Sequence, residues 1–364
     1  MAAQKITGRQ LMAVLALARL QAAFVILPVL TSTRAGRDAW LAAVISTPVG
    51  LAFALFVIRV AGRYPEGTVV QFARACLGRW LGAAWGLAYA GFFFGLAAVT
   101  ARVVAESYVL GVMPETPLIV FIVVVVWLGS LAARGGVEVI GRMSESSLFL
   151  VLPLLLAAIF LPIARARWEN LLPVLEHGPA PVLAASLTSF ALYAEVAAAG
   201  MLLTHLATPQ EAARYTTRAI LLSGSLFVLV TVTVTAILGP NADDLVLPVF
   251  SQARLISMGR FLERLETLPL AAWTLMVWLK VGFYLWVTAT GLAQTFGLAD
   301  YRPLVYPLGF LAACLAVVGF ENIFEVQEFY RPEAWGKYGT ILAVGLILLL
   351  AGAGRARGKR TRQA

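Results

Sequence analysis

Residues 276–286 read MVWLKVGFYLW, a single lysine inside an apolar run that continues well past it on both sides, from about 267 to 297. A helix needs about 20 mostly apolar residues to cross a bilayer, so this run is a membrane span that tolerates a cation in its middle. Similar runs recur along the chain with short polar connections. The sequence is 364 residues long, 60% hydrophobic and only 13% charged, with a mean hydropathy of +0.85. A soluble domain carries about 25% charged residues, and no stretch is left over for one. The expected class is therefore an all-α integral membrane protein forming one transporter-like domain over 1–364.

Ten spans are expected, near 10–31, 39–61, 81–110, 117–133, 145–164, 182–205, 218–239, 267–297, 303–320 and 336–353. The first passes into LPVLTSTRAGR without a small-residue cleavage site and reads as a retained helix rather than a signal peptide. An even number of spans puts both termini on one side. Basic residues at the span ends concentrate on that side, from Lys5 and Arg9 to the tail 354–364, which places both ends in the cytoplasm. The RARGKRTRQA tail then lies against anionic lipid headgroups, and nucleic acid is not an expected partner. Between the second and third spans, Arg74 and Arg79 alternate with Val70, Phe72, Ala73 and Leu77, a pattern that suits either a short surface helix or an ordinary loop. Cys76 and Cys314 read as small hydrophobes.

Ionisable side chains at mid-membrane cost about 2.5–3.5 kcal/mol each on insertion scales, so each needs a partner or a purpose. Arg102 and Glu106 are four apart in the third span and can neutralise each other on one helix face. Arg19 with Gln21 in the first span, Glu195 in the sixth and Lys280 in the eighth are less easily dismissed. Lys280, Tyr284, Thr288, Gly291 and Thr295 lie along one stripe of the eighth span, leaving Trp278, Phe283, Leu285 and Trp286 for lipid or packing. If Arg19, Glu195 and Lys280 face one cavity and are all ionised, one positive charge is in surplus. A ligand carboxylate would satisfy it, as would loss of a proton from Lys280, one of only four lysines in the chain. Spans one and six are equivalent positions if the ten helices form two repeats of five, an architecture that places its substrate site at interrupted helices. A membrane enzyme is not supported, because His177 and His205 are the only histidines and neither a nucleophile-base set nor a metal-ligand cluster is present. No cofactor is expected.

The segment RFLERLETLPLAAWTLMVWLKVGFYLWVTATGLAQTFGLADYRPLVYPLG (260–309) resembles the spore permease family, the B subunits of nutrient-germinant receptors in endospore-forming bacteria. ITGRQL (6–11), YPEGTVVQFARACLGRWLG (64–82), NLLPVLEHGPAPVLAAS (170–186) and YAEV (193–196) support it in the family's order. The resemblance implies the amino acid-polyamine-organocation superfamily, with a LeuT-like five-plus-five inverted repeat and broken helices one and six. It also implies a small nutrient as ligand, commonly an amino acid, and an inner-membrane location in the spore beside a membrane A subunit and a lipoprotein C subunit. A proton-coupled amino acid permease is the alternative function. By alignment, the implied site comprises Leu20, Gln21, Ala22 and Ala23 at the first break, Leu192, Tyr193 and Glu195 at the sixth, a wall at Phe92, and Lys280 with Tyr284. Where relatives carry glycines in the first break, this chain has Gln21, Ala22 and Ala23, so a less open break is expected.

Overall fold

A computed structural model describes residues 4–24, 35–242, 245, 247–254 and 267–363. The second half of the first expected span (25–31), together with Arg34, Arg260 and Arg264, lies outside the described residues. The chain is helical almost throughout. In order, the helices are α1 (Gly8–Leu20), α2 (Ala39–Ala61), α3 (Val69–Gly111), α4 (Leu118–Gly135), α5 (Val137–Phe160), α6 (Pro179–Ala194), α7 (Ala199–Leu202), α8 (Ala212–Leu238), α9 (Pro248–Arg254), α10 (Thr267–Phe296), α11 (Arg302–Val318), α12 (Ile323–Phe329) and α13 (Lys337–Gln363). Among the described residues, eight helical stretches are long and apolar enough to cross a membrane. The expected ninth span is the 17-residue α11, and α1 covers only the start of the expected first.

The helix carrying Lys280 forms the centre of the bundle. Trp273, Lys280, Phe283, Leu285 and Trp286 of α10 are all buried, so the aromatic face is turned into protein rather than lipid. This is the expected fate of a helix apolar on every side. α4 crosses α10 very closely at Gly129 and Gly282, where a Cβ on Gly282 would stand 2.9 Å from the Gly129 carbonyl oxygen. Small residues at a crossing let backbones approach where lipid supplies no hydrophobic drive. The opposite face of α4, with Val123, Val124 and Trp127, is exposed for lipid.

The segment before the third span is a helix. Thr68 and Gln71 form a reciprocal capping box at the start of α3, which satisfies two of the amides that a helix start leaves open. Val69, Val70, Phe72 and Ala73 are buried beneath it. At Gly78 the backbone turns to φ 83°, ψ −174°, and the chain resumes as the long membrane helix. Only glycine adopts that conformation freely. Gly78→Ala is therefore expected to cost about 1–3 kcal/mol, read as a lowered unfolding temperature of the purified protein. An unchanged transition would place no demand on the turn.

Arg102 and Glu106 form the expected intrahelical pair, with Arg102 Nη2 2.6 Å from Glu106 Oε1. The guanidinium does not reach for the membrane surface. Its Nη1 donates to the carbonyls of Ala316 and Val317, both at 3.1 Å, in the last turn of α11. A buried cation thereby satisfies carbonyls that the short helix leaves open at its C-terminus.

Candidate functional site

Two helices change pitch at mid-membrane. α1 tightens into a 3-10 turn at Gln21–Phe24, and α6 into one at Glu195–Ala198 before the short α7. Neither turn contains an extended residue at its entry: Gln21 and Glu195 both keep right-handed helical backbone angles. With alanines in place of glycines, the interruption is a tightening rather than an opening. A 3-10 turn within a helix is a weak point in the hydrogen-bond ladder and a common hinge. Neighbouring helices brace both turns. The Trp273 indole of α10 donates to the Gln21 carbonyl at 3.0 Å, and the Tyr89 hydroxyl of α3 donates to that of Ala197 at 2.8 Å. The two interrupted helices are also tied together at one end, where the Ile6 amide donates to the His205 carbonyl at 2.8 Å and the Ala207 amide to that of Ile6 at 2.9 Å.

Beside these turns the three isolated charges converge. Arg19, Glu195 and Lys280 are 4%, 5% and 2% exposed. Lys280 Nζ lies 2.8 Å from Glu195 Oε2, and the Tyr284 hydroxyl donates to that same oxygen at 2.5 Å. Of the alternatives open to Glu195, the structure holds the ion pair, reinforced by Tyr284 one helical turn after Lys280. The other carboxylate oxygen, Oε1, is buried without a hydrogen-bond partner.

Arg19 has no carboxylate partner among the described residues. Its guanidinium is clasped between the rings of Tyr193 and Phe227, at 4.3 and 4.4 Å from their centroids. Nη2 donates to Ser189 Oγ at 3.4 Å, and Nε and Nη1 are buried and unbonded. Each desolvated cation-ring contact contributes about 2 kcal/mol, so two of them are enough to offset the cost of about 2.5–3.5 kcal/mol of burying the charge. The aromatic clasp holds the cation in place and leaves most of its hydrogen-bonding capacity unused.

A small cavity of about 20 Å³, room for roughly one water, lies between these groups, lined by Arg19, Leu192, Tyr193, Glu195, Phe283 and Tyr284 among others. The structure thus brings Leu192, Tyr193, Glu195 and Tyr284 to one void. Lys280 stands behind Glu195 rather than on the cavity wall. Leu20, Gln21 and Ala22 are buried in the neighbouring turn but do not line it, and the side chain of Ala23 lies outside the described residues. Phe92 is directed elsewhere, stacked on Trp335 at 5.5 Å; its neighbour Phe93 packs on Tyr284 at 5.2 Å. Sequence reasoning missed Ser189, Ile220 and Phe227. An apolar or hydroxyl residue in an apolar helix carries no signal of its own.

An all-helical membrane protein with a charged void between two interrupted helices has the architecture of a secondary transporter. The coordinates match that of MhsT in complex with L-phenylalanine with a TM-score of 0.65 at 12% identity, covering 96% of this chain and 100% of that one. The likeness establishes the fold. The sequence establishes the family: a family model described as "Spore germination protein" matches residues 5–322, and the chain belongs to this spore permease family. It is 26% identical to Spore germination protein A2 of Bacillus subtilis (strain 168) over 305 residues, 83% of each chain. It is 27% identical to Spore germination protein KB of the same organism over 331 residues, 88% of this chain and 87% of that one. It is a membrane protein of transporter fold, not an enzyme.

Proposed function

We propose that this chain is the nutrient-binding membrane subunit of a spore germination receptor, and that its ligand is a small apolar amino acid held as a zwitterion. One observation carries the reading. Arg19 and Glu195 line one void, each buried and each with unbonded polar atoms, Nε and Nη1 on the first and Oε1 on the second. A ligand α-carboxylate meets the surplus cation and an α-ammonium meets the free carboxylate oxygen. The remaining wall, Leu192, Phe283 and Ile220, suits a short apolar side chain. Lys280 in this reading holds Glu195 rather than the ligand.

A cavity of about 20 Å³ is too small for an amino acid, so binding requires the walls to part. The 3-10 turns at Gln21–Phe24 and Glu195–Ala198 are where they would hinge. A ligand that fits only the expanded state shifts the population toward it, and that shift is what a sensor transmits. The receivers would be the A subunit and the C lipoprotein in the spore's inner membrane, with both termini and the basic 354–364 segment on the cytoplasmic side. The shared transporter fold supports the second reading, a permease that moves the amino acid with a proton.

A thermal-shift screen of the purified protein against the common amino acids, nucleosides and sugars tests the proposal. The expected result is stabilisation by one or more small apolar amino acids. Stabilisation only by an uncharged sugar or nucleoside would refute the zwitterion. Uptake of the stabilising compound into proteoliposomes then separates a permease, which accumulates it, from a sensor, which does not.

A further inference from the structure

On the lipid side of the bundle, α2 and α8 pass each other at a place where both have given up bulk. Pro48 interrupts the hydrogen-bond ladder of α2, and a proline inside a helix bends it. Gly224 of α8 has no room for more, since a Cβ there would stand 2.4 Å from Thr47 Cγ2 and 3.0 Å from the Tyr193 hydroxyl. Between the two helices lies a groove of about 490 Å³, walled by Val44, Thr47, Pro48, Ser225, Val228 and Val232.

Thr47 stands eight residues into α2, about 12 Å along the helix at 1.5 Å per residue. In a hydrocarbon layer about 30 Å thick that is close to mid-depth. The groove contains no ionisable side chain. Its hydroxyl protons are already committed: Thr47 donates to the Ala43 carbonyl at 2.8 Å and Ser225 to that of Leu221 at 2.6 Å. The phosphate of a headgroup would find neither a cation nor a free hydroxyl proton there, whereas a hydrocarbon chain would restore the dispersion contacts that an unfilled hollow forgoes.

The groove backs onto the charged cavity, since Thr47 of the groove touches Tyr193 of the cavity wall. Because the Thr47 proton points to Ala43, the 2.9 Å contact between Thr47 Oγ1 and the Tyr193 hydroxyl is donated by Tyr193. The ring of that tyrosine carries the Arg19 guanidinium at 4.3 Å. We propose that the groove between α2 and α8 is a binding site for a single acyl chain of a bilayer lipid, seated one residue away from the cation of the central cavity. The site follows from shape and chemistry at the lipid face, and it stands whether or not the central ligand is an amino acid.

The test uses the full-length protein in vesicles containing a phosphatidylglycerol with a mid-chain diazirine, irradiated and mapped by mass spectrometry. Labelling of peptides containing Val44–Pro48 and Gly224–Val232 is expected to exceed, by several-fold, labelling of the lipid-facing surface Ile119–Leu131 of α4. Equal labelling of the two faces would mean ordinary solvation by lipid and would overturn the site. Filling the groove with Ser225→Phe and Val228→Phe should remove the excess at Val44–Pro48 and leave α4 labelling unchanged, which also reports that the variant is folded. Persistence of the excess in that folded variant counts against the proposal. Thr47→Val, which keeps the shape, should keep the label. Its loss there would show that the hydroxyl, rather than the apolar wall, holds the occupant, and would refute an acyl chain.

Discussion

Lys280→Met is expected to lower the stability of the protein by about 3–5 kcal/mol, the usual effect of stranding one member of a buried ion pair. In the variant, Glu195 keeps the hydrogen bond from Tyr284 but loses the cation 2.8 Å away. No other basic side chain forms a salt bridge with it among the described residues. Glu195→Gln strands the ammonium instead and should cost a similar amount. The double variant should recover much of the loss, because replacing both members of a buried pair is often nearly neutral while breaking the pair is not. Thermal unfolding of the four proteins in detergent gives the cycle, with a coupling at or above ~3 kcal/mol expected, the top of the range usual for residues in contact, because the double variant loses far less than the sum of the two single losses. Additive losses would show that the pair does not act as a unit. The double variant carries a second piece of information. If Lys280 only holds Glu195, a ligand recognised through Arg19 should still stabilise the double variant, though less, since the glutamine side chain lacks the charge for an ammonium. Complete loss in the double variant, where Glu195→Gln alone still binds, would return Lys280 to the ligand itself.

The charged members of the site were legible in the sequence for a simple physical reason. A charge inside an apolar run is costly, so Arg19, Glu195 and Lys280 stand out against the composition of their helices. Counting them gave the surplus cation, on the condition that all three face one cavity. The cavity walls were much less legible. Successive helix residues point about 100° apart, so placing the wall at Phe92 rather than Phe93 sends the side chain to Trp335 and not to Tyr284. Periodicity likewise assigned the aromatic face of the eighth span to lipid or packing without deciding between them. In the bilayer a Trp or Phe is equally at ease against lipid or against protein, and it is the packing of α3, α4 and α5 around α10 that turns that face inward. Leu15, Ile220 and Phe227 are silent for the same reason. The family resemblance supplied what spacing did not, broken helices one and six and the residues that line up with the breaks. Even so, Gln21 and Ala22 line up with the family's break without lining the void.

Arg19→Met is expected to act in the opposite way to Lys280→Met, although both replace a buried cation by the same side chain. Arg19 has no carboxylate to strand among the described residues. Its removal relieves about 2.5–3.5 kcal/mol of insertion cost and gives up two ring contacts with Tyr193 and Phe227 of about 2 kcal/mol each. These terms nearly cancel, so the unfolding temperature should stay close to that of the parent protein. Binding should not. Losing the buried partner of a ligand carboxylate costs about 2–5 kcal/mol, a weakening of about 30-fold to several thousandfold at 1.4 kcal/mol per decade. The measurement is titration of the parent and the Arg19→Met protein with the amino acid that stabilises the parent in the thermal-shift screen. Arg19→Lys sharpens it. Lysine keeps the charge but replaces a planar guanidinium, flat between two rings, with a compact ammonium. It should recover only part of the affinity. Full affinity in Arg19→Met would remove the cation from the site and leave the aromatic clasp as a way of tolerating an arginine in the membrane. A large drop in stability with affinity intact would make Arg19 a structural residue whose unbonded nitrogens serve the fold.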